Sequence, residues 1–136
     1  MRILLVAALS LAPVSLALST TVAQAEEAAE APEISLEDLK KIVAAKGAFI
    51  IDANSTDSYA SGRVPGAVSF AKNEKNFAQI LPADKSTPIV AYCGGPLCTA
   101  WKDPAKEAKK LGYTNIKHFK GGISGWKKAG ESVEKG

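Results

Sequence analysis

The chain has 136 residues, with 17 basic residues, 14 acidic residues and two cysteines, and a net charge of +3. This small, evenly spread charge argues against nucleic acid or an acidic membrane surface as a partner. Beyond the first 25 residues, the length suits one domain with a single core, which needs neither metals nor disulfides to fold.

The N-terminus has the arrangement of a secretory signal peptide. Arg2 supplies a positive charge, residues 3–18 are apolar apart from Ser10, Pro13 and Ser15, and Ala23-Gln24-Ala25 is a small-x-small cleavage site. An apolar segment of this length falls short of the roughly 20 residues that span a membrane. We therefore predict a signal peptide at residues 1–25, cleaved after Ala25, a periplasmic or secreted product, and no membrane association afterwards.

Residues 26–34 are rich in glutamate and alanine, and we expect a disordered leader there. A domain is expected to occupy residues 35–136. Ser35, followed three residues later by Asp38, predicts the capped start of a helix, and Gly47 predicts its end.

Short strands and helices then alternate along the chain. The predicted strands are residues 48–52, 68–70, 88–92 and 115–119, and the predicted helices between and after them are residues 55–60, 76–81, a segment ending near 111, and 121–126. Asp103-Pro104 either begins the third of these helices or bends one that starts earlier. The alternation predicts an α/β fold, a parallel sheet with helices on both faces.

Both cysteines lie in the loop after the strand at residues 88–92. Cys93 ends the strand, the next three residues force a tight turn, and Cys98 closes it. In parallel sheets the binding crevice lies at the carboxyl ends of the strands, where Cys93 is expected. Amide groups pointing inward would stabilise a Cys93 thiolate or an anionic sulfur species bonded to it. Pro96 has no N–H, so the expected donors are Gly94, Gly95, Leu97, Cys98 and Thr99.

Four segments, in order, resemble the signatures of one family. They are Ile50-Ile51-Asp52 with Asp57-Ser58-Tyr59, then Gly62-Arg63-Val64-Pro65-Gly66-Ala67, then Tyr92-Cys93-Gly94-Gly95, and last Gly112-Tyr113 followed by Gly121-Gly122-Ile123 and Trp126. The second is similar to a Gly-His-Ile-Pro-Gly-Ala signature, and the third to the start of an active-site loop. Over residues 35–130 the chain resembles a single-domain rhodanese, a sulfurtransferase, here an exported member whose loop has two cysteines.

The resemblance implies that Cys93 takes a sulfane sulfur atom as a persulfide and passes it to a thiol or to cyanide. The family commonly has an arginine five residues after this cysteine to hold an anionic donor such as thiosulfate, and Cys98 stands there instead. Asn54 replaces a second arginine of the family. Arg63 is then the only arginine after the signal peptide, so bidentate binding of an oxyanion is poorly supplied. Without an arginine after Cys93, the related phosphatases and arsenate reductases are disfavoured.

Three functions remain open. In the first, the protein is a sulfur carrier or sulfurtransferase, and Cys98 resolves the persulfide on Cys93 by forming a disulfide. In the second, the pair serves thiol–disulfide exchange or redox sensing, since a glycine-rich loop brings cysteines five residues apart within reach. In the third, the domain is a non-catalytic binding module for an exported partner. A purely structural disulfide would stabilise such a short loop by only about 2 kcal/mol.

The remaining polar residues favour structural roles. Asp52, at a strand end, is expected to brace loops through backbone hydrogen bonds, and His118 is expected to be packed or at a sheet edge. Arg63 is either a solvated turn residue or an anion ligand. Two cysteines and one histidine make a poor metal site, so we predict no metal and no cofactor. The expected partners of this monomer are a small sulfur donor (thiosulfate, polysulfide or persulfide) and a thiol acceptor or exported protein.

Overall fold

The structure is a computed structural model that describes residues 31–136. The predicted signal peptide and the first residues of the predicted leader lie outside this range. The strands are β1 (Phe49–Asp52), β2 (Val68–Ser69), β3 (Ile89–Tyr92) and β4 (Ile116–His118). The helices are α1 (Leu36–Ala45), α2 (Thr56–Ser61), α3 (Phe70–Asn73), α4 (Phe77–Ile80), α5 (Lys102–Lys110) and α6 (Gly122–Lys128), with a 3-10 turn at Glu74–Asn76 between α3 and α4.

The four strands form one sheet in the order β2-β1-β3-β4, and every neighbouring pair is parallel. This confirms the predicted α/β fold. The central strands β1 and β3 pair from Phe49 opposite Ile89 to Asp52 opposite Tyr92. Their carboxyl ends therefore lie side by side, and Cys93 follows directly at this edge of the sheet.

The sheet separates two buried clusters, because successive side chains of a strand point to opposite faces. Ala91 lies in the cluster that α5 covers, together with Ile51, Cys93 and Trp101. The residues on either side of Ala91 in β3 lie in the second cluster, on the opposite face of the sheet, which α1 and α6 cover. All four residues of β3 are buried, which explains why its sequence is a continuous apolar run.

Helix α1 begins as predicted and ends one residue earlier than predicted. The Ser35 hydroxyl accepts a hydrogen bond from the Asp38 amide at 3.1 Å, which is the expected N-cap. At the other end Lys46, rather than Gly47, adopts the left-handed conformation, with φ of 51°. With 10 residues α1 is the longest helix between residues 31 and 136, and no helix in that range is long and apolar enough to cross a membrane.

Helix α5 begins at Lys102, so of the two predicted alternatives the earlier start is the observed one, and Asp103 does not cap the helix. The amides of Lys102 and Asp103 already donate to the carbonyls of Thr99 and Ala100, at 3.0 and 3.2 Å. These turns continue directly into the helix. Pro104 falls in the first helical turn, where a missing N–H leaves no hydrogen bond unmade.

The end of the predicted leader is held on the sheet, which corrects the expected disorder for residues 31–34. The His118 amide donates to the Pro32 carbonyl, and the Ile34 amide donates to the His118 carbonyl, both at 2.9 Å. Ile34 is also buried in the core. Strand β4 is an edge strand whose outer backbone groups need partners, and this segment supplies them.

Candidate functional site

The loop between β3 and α5 holds the two cysteines together. Cys93 and Cys98 form a disulfide, with their Cα atoms 6.2 Å apart. The Cys98 amide donates to the Gly95 carbonyl at 3.0 Å, which closes a β-turn with Pro96 in its second position. Proline is favoured there because its fixed φ suits the turn. The turn reverses the chain and returns Cys98 to Cys93.

This turn changes the set of amides that we expected around the Cys93 sulfur. The Cys98 N–H points to the Gly95 carbonyl, so the prediction that it faces the sulfur is wrong. The amides of Gly94, Gly95, Leu97 and Thr99 remain predicted donors. A thiolate or persulfide at Cys93 would therefore have fewer N–H groups around it than the sequence suggests.

The loop residues differ strongly in exposure. Cys93 is 2% exposed, and Cys98 is partly exposed. Leu97, directly before Cys98, is 96% exposed and is the one large apolar side chain that residues 31–136 leave in solvent. Pro96 and Thr99 are also exposed. Cys93 is therefore buried, whereas Cys98 is partly accessible to solvent.

The first turn of α6 supports this loop through backbone hydrogen bonds. The amides of Ile123 and Ser124 donate to the carbonyls of Cys93 and Gly94, at 2.9 and 3.0 Å. Gly122, with φ of 60°, makes the approach possible, because a Cβ there would lie 2.6 Å from the Gly94 carbonyl carbon and 2.7 Å from the Cys93 carbonyl oxygen. Gly122, the first residue of α6, is therefore part of the site.

Asp52, at the end of β1, forms hydrogen bonds to the loop that follows it and to the end of β3. One of its carboxylate oxygens accepts the Asn54 amide at 2.8 Å, and the other accepts the Tyr92 hydroxyl at 2.7 Å. The Tyr92 hydroxyl in turn accepts the Val64 amide at 3.0 Å. Burial, and secondly the charge of Asp52, raise the pKa of Tyr92, which keeps the phenol protonated. Asp52 is completely buried and lies in the bracing position that its sequence context predicts.

Arg63 is engaged by the C-terminal segment. Its guanidinium donates to the Gly136 carbonyl at 2.7 Å and lies 3.6 Å from the Glu134 carboxylate. The same group packs over the Tyr59 ring, 4.3 Å from the centroid. Within the described part of the chain, none of its hydrogen bonds or ion pairs goes to the loop of Cys93. The structure therefore does not bring Arg63 together with the cysteines.

Asn54 lies beside the cysteine loop and was not among the predicted site residues. Its Oδ1 would be 3.6 Å from a Cβ on Gly94, and its Nδ2 is buried without a hydrogen-bond partner among residues 31–136. The sequence did single out Asn54 as the residue that stands where the family has a second arginine, two residues after Asp52. A neutral amide donor thus occupies the place next to the loop where an arginine would add charge.

His118 is packed, as expected. Its ring stacks on Trp101, with centroids 3.9 Å apart and planes at 4°, and its Nδ1 contacts the Ala31 carbonyl at 2.7 Å. Trp101 is likewise a buried residue of the core. Across residues 31–136 no three histidine, cysteine or acidic side chains are grouped as a metal site would require.

Comparison with known proteins agrees with this architecture. The family model described as a rhodanese-like domain matches residues 35–129. The BH2092 protein of Bacillus halodurans is 25% identical, with a TM-score of 0.67 over 83% of this chain and 82% of that one. The human single-domain sulfurtransferase TSTD1 is 23% identical, with a TM-score of 0.60 over 72% and 96% of the two chains.

A larger protein contains the same fold. Thiosulfate sulfurtransferase from Pseudomonas aeruginosa is 25% identical with a TM-score of 0.67, over 83% of this chain and 21% of that one. No curated protein sequence matches the chain. The family match covers most of the chain, and the parallel sheet and the cysteine loop at its carboxyl edge agree with it. The chain therefore belongs to the rhodanese-like domain family.

Proposed function

We propose that this protein is a sulfur carrier or sulfurtransferase that holds sulfane sulfur as a persulfide on Cys93. The observation that carries the proposal is the position of Cys93, at the carboxyl end of a central strand of a rhodanese-like domain, within bonding distance of a second cysteine. A nucleophile at this edge of a parallel sheet lies where such folds bind their substrates. The buried Asp52–Tyr92 hydrogen bond fixes the strand ends that carry it.

The proposed reaction begins with the reduced loop. The Cys93 thiolate attacks the sulfane sulfur of the donor, a new S–S bond forms, and the donor's own S–S bond breaks. With thiosulfate, sulfite leaves with the bonding electrons. A thiol acceptor then takes the outer sulfur atom, and Cys93 departs as a thiolate. Alternatively, the Cys98 thiolate attacks the Cys93 sulfur, expels hydrosulfide and leaves the disulfide that the structure contains.

The charges around the loop favour a polysulfide or a persulfide over thiosulfate as the donor. Arg63 is held by Glu134 and Gly136, and Asn54 contributes only a neutral amide beside Gly94. An oxyanion such as thiosulfate is bound best by a bidentate guanidinium. We place the reaction in the periplasm or outside the cell, on the strength of the predicted signal peptide, with a thiol or an exported protein as acceptor.

The test is to load the reduced protein with polysulfide or thiosulfate and to measure its intact mass. We expect the wild-type protein to gain one sulfur atom from polysulfide and then to lose it as the disulfide closes. Cys98→Ser should keep the added sulfur for longer, because nothing within the loop displaces it. Cys93→Ser is the matched control and should gain none. If neither donor adds sulfur at Cys93, the proposal is wrong.

A second function is favoured by the disulfide itself, namely thiol–disulfide exchange without sulfur transfer. The Cys93–Cys98 bond closes a loop at the protein surface, where Cys98 is partly exposed. Its reduction potential separates this function from a structural bridge. A value below about −300 mV would mark the bond as structural, and a higher value would mark it as one that exchanges.

A further inference from the structure

The two sulfur atoms of the disulfide are unequally accessible. Cys93 is 2% exposed and belongs to the buried cluster that contains Ile51, Ala91 and Trp101. Cys98 only packs against the edge of that cluster and is partly exposed. A reagent from solvent therefore meets the Cys98 side of the bond first.

The geometry of thiol–disulfide exchange increases this difference. An attacking thiolate approaches along the S–S axis, on the side away from the sulfur that leaves, and access decides which sulfur is attacked. Cys93 is 2% exposed, so almost none of its surface is open to a thiolate from solvent. Cys98 is partly exposed and is the cysteine that a thiolate from solvent can reach. The fold thus shields Cys93 from solvent thiols and leaves Cys98 accessible to them.

We propose that thiols open the disulfide by attacking Cys98 Sγ, and that the attacking thiol belongs to a peptide segment whose apolar side chains pack on Leu97. The thiolate forms a mixed disulfide with Cys98, the Cys93–Cys98 bond breaks, and Cys93 leaves as a thiolate with the bonding electrons. A second thiol of the partner then attacks the partner's first sulfur, which is bonded to Cys98 in the mixed disulfide, and Cys98 is released as a thiolate. The partner's two thiols are oxidised to a disulfide, and both loop cysteines are reduced.

We infer from Leu97 that the partner is a peptide or protein rather than a small hydrophilic thiol. It is 96% exposed, and it lies next to the sulfur that is attacked. The preceding Pro96 and the β-turn hold it at the tip of the loop. A thiol flanked by apolar residues would bury the Leu97 side chain as it reaches Cys98. A small hydrophilic thiol would gain nothing from it.

This inference rests on the proposed function only in treating the disulfide as a state of the working cycle. It can hold if no sulfur is ever loaded on Cys93, in which case the protein exchanges disulfides alone. It can fail while sulfur loading succeeds, if thiols attack Cys93 instead. Separate experiments on the oxidised and the reduced protein therefore distinguish the two failures.

The first experiment locates the attack on the oxidised full chain. The probe is the peptide acetyl-Leu-Cys-Leu-amide, and an excess of maleimide added after a brief reaction traps the released thiolate together with the unreacted probe. The tryptic peptide of residues 86–102 contains both cysteines and is sequenced by mass spectrometry. We expect the probe on Cys98 and the maleimide on Cys93. The reverse pattern, an even mixture, or no adduct on Cys98 overturns the proposal.

The second experiment tests the contact with Leu97. The opening rate is compared for acetyl-Leu-Cys-Leu-amide and acetyl-Gly-Cys-Gly-amide, whose thiols are chemically alike. Burial of one leucine side chain predicts about a tenfold preference for the apolar probe. Leu97→Ser should reduce that ratio to near one, and Leu97→Met, which keeps an apolar side chain, should retain it. Equal rates in the wild-type protein would refute the apolar partner.

Discussion

Gly122 and Gly94 approach each other so closely that no side chain fits between them. A Cβ on Gly122 would lie 2.6 Å from the Gly94 carbonyl carbon, and the φ of Gly122 is 60°. Gly122→Ala should therefore combine roughly 1–2 kcal/mol of backbone strain with a backbone clash that displaces the cysteine loop. We expect a lower free energy of unfolding in urea and a loss of sulfur loading at Cys93.

Gly112 provides the matched control. It also has a positive φ, of 95°, but a Cβ there would have no atom within 4 Å. Gly112→Ala should lower stability through backbone strain alone and leave sulfur loading intact. If both variants load sulfur equally well, the contact between Gly122 and the loop does not position Cys93.

The second prediction concerns the hydroxyl of Tyr92. Tyr92→Phe removes the donor to buried Asp52 and the acceptor for the Val64 amide. Buried polar groups that lose their partners cost about 1–3 kcal/mol. We expect the free energy of unfolding in urea at neutral pH to fall by this amount. Tyr59→Phe is a matched control on a less buried tyrosine and should cost less, since the single hydrogen bond it loses, to the Ala67 carbonyl, is only partly buried.

The same pair predicts a pH dependence. The pKa of Tyr92 is raised in the folded protein, so the folded state keeps its proton when the unfolded chain begins to lose it near its ordinary pKa of about 10. The stability that Tyr92 contributes is fully present below pH 10 and falls as the pH rises above it. The difference in urea stability between wild type and Tyr92→Phe should shrink above about pH 10. A constant difference would contradict the raised pKa.

Arg63 yields a prediction about stability rather than catalysis. Arg63→Ala removes the hydrogen bond to Gly136, the ion pair with Glu134 and the contact with Tyr59. We expect a loss of about 1 kcal/mol in the free energy of unfolding. The KM for thiosulfate or polysulfide should not change. A clear increase in the KM for thiosulfate would instead show that the guanidinium leaves the C-terminal segment to bind the donor.

Asn54 gives a test of donor selectivity. Asn54→Arg places a guanidinium beside Gly94, where the wild-type chain has a neutral amide. We expect a lower KM for thiosulfate, an effect that salt should weaken because it screens the added charge. Asn76→Arg makes the same substitution at an exposed site and serves as the control. If both variants lower the KM equally, the effect comes from net charge and not from the position of Asn54.

Much of the fold was predictable because its signals are local. The apolar run of β3 and the serine cap of α1 depend on neighbouring residues, and both are present in the structure. The sequence leaves the start of α5 open between two alternatives, because the turns at Thr99 and Ala100 compete with an Asp103 cap, and only the folded loop shows that the turns prevail. The expectation of disorder for residues 31–34 is wrong, because these residues pair with an edge strand more than 80 residues away, and local sequence does not show that pairing.

Some features of the candidate site were likewise predictable from the sequence, and others depend on the tertiary structure. The sequence by itself determined the strand-end cysteine, the five-residue spacing to Cys98 and the shortage of arginine. Only the tertiary structure decided that Arg63 is held by Glu134, that Gly122 must lack a side chain, and that Cys93 is buried while Cys98 is partly exposed. The physical reason is that the sequence specifies the spacing of residues along the chain directly, whereas the accessibility of an atom depends on which distant segments pack around it.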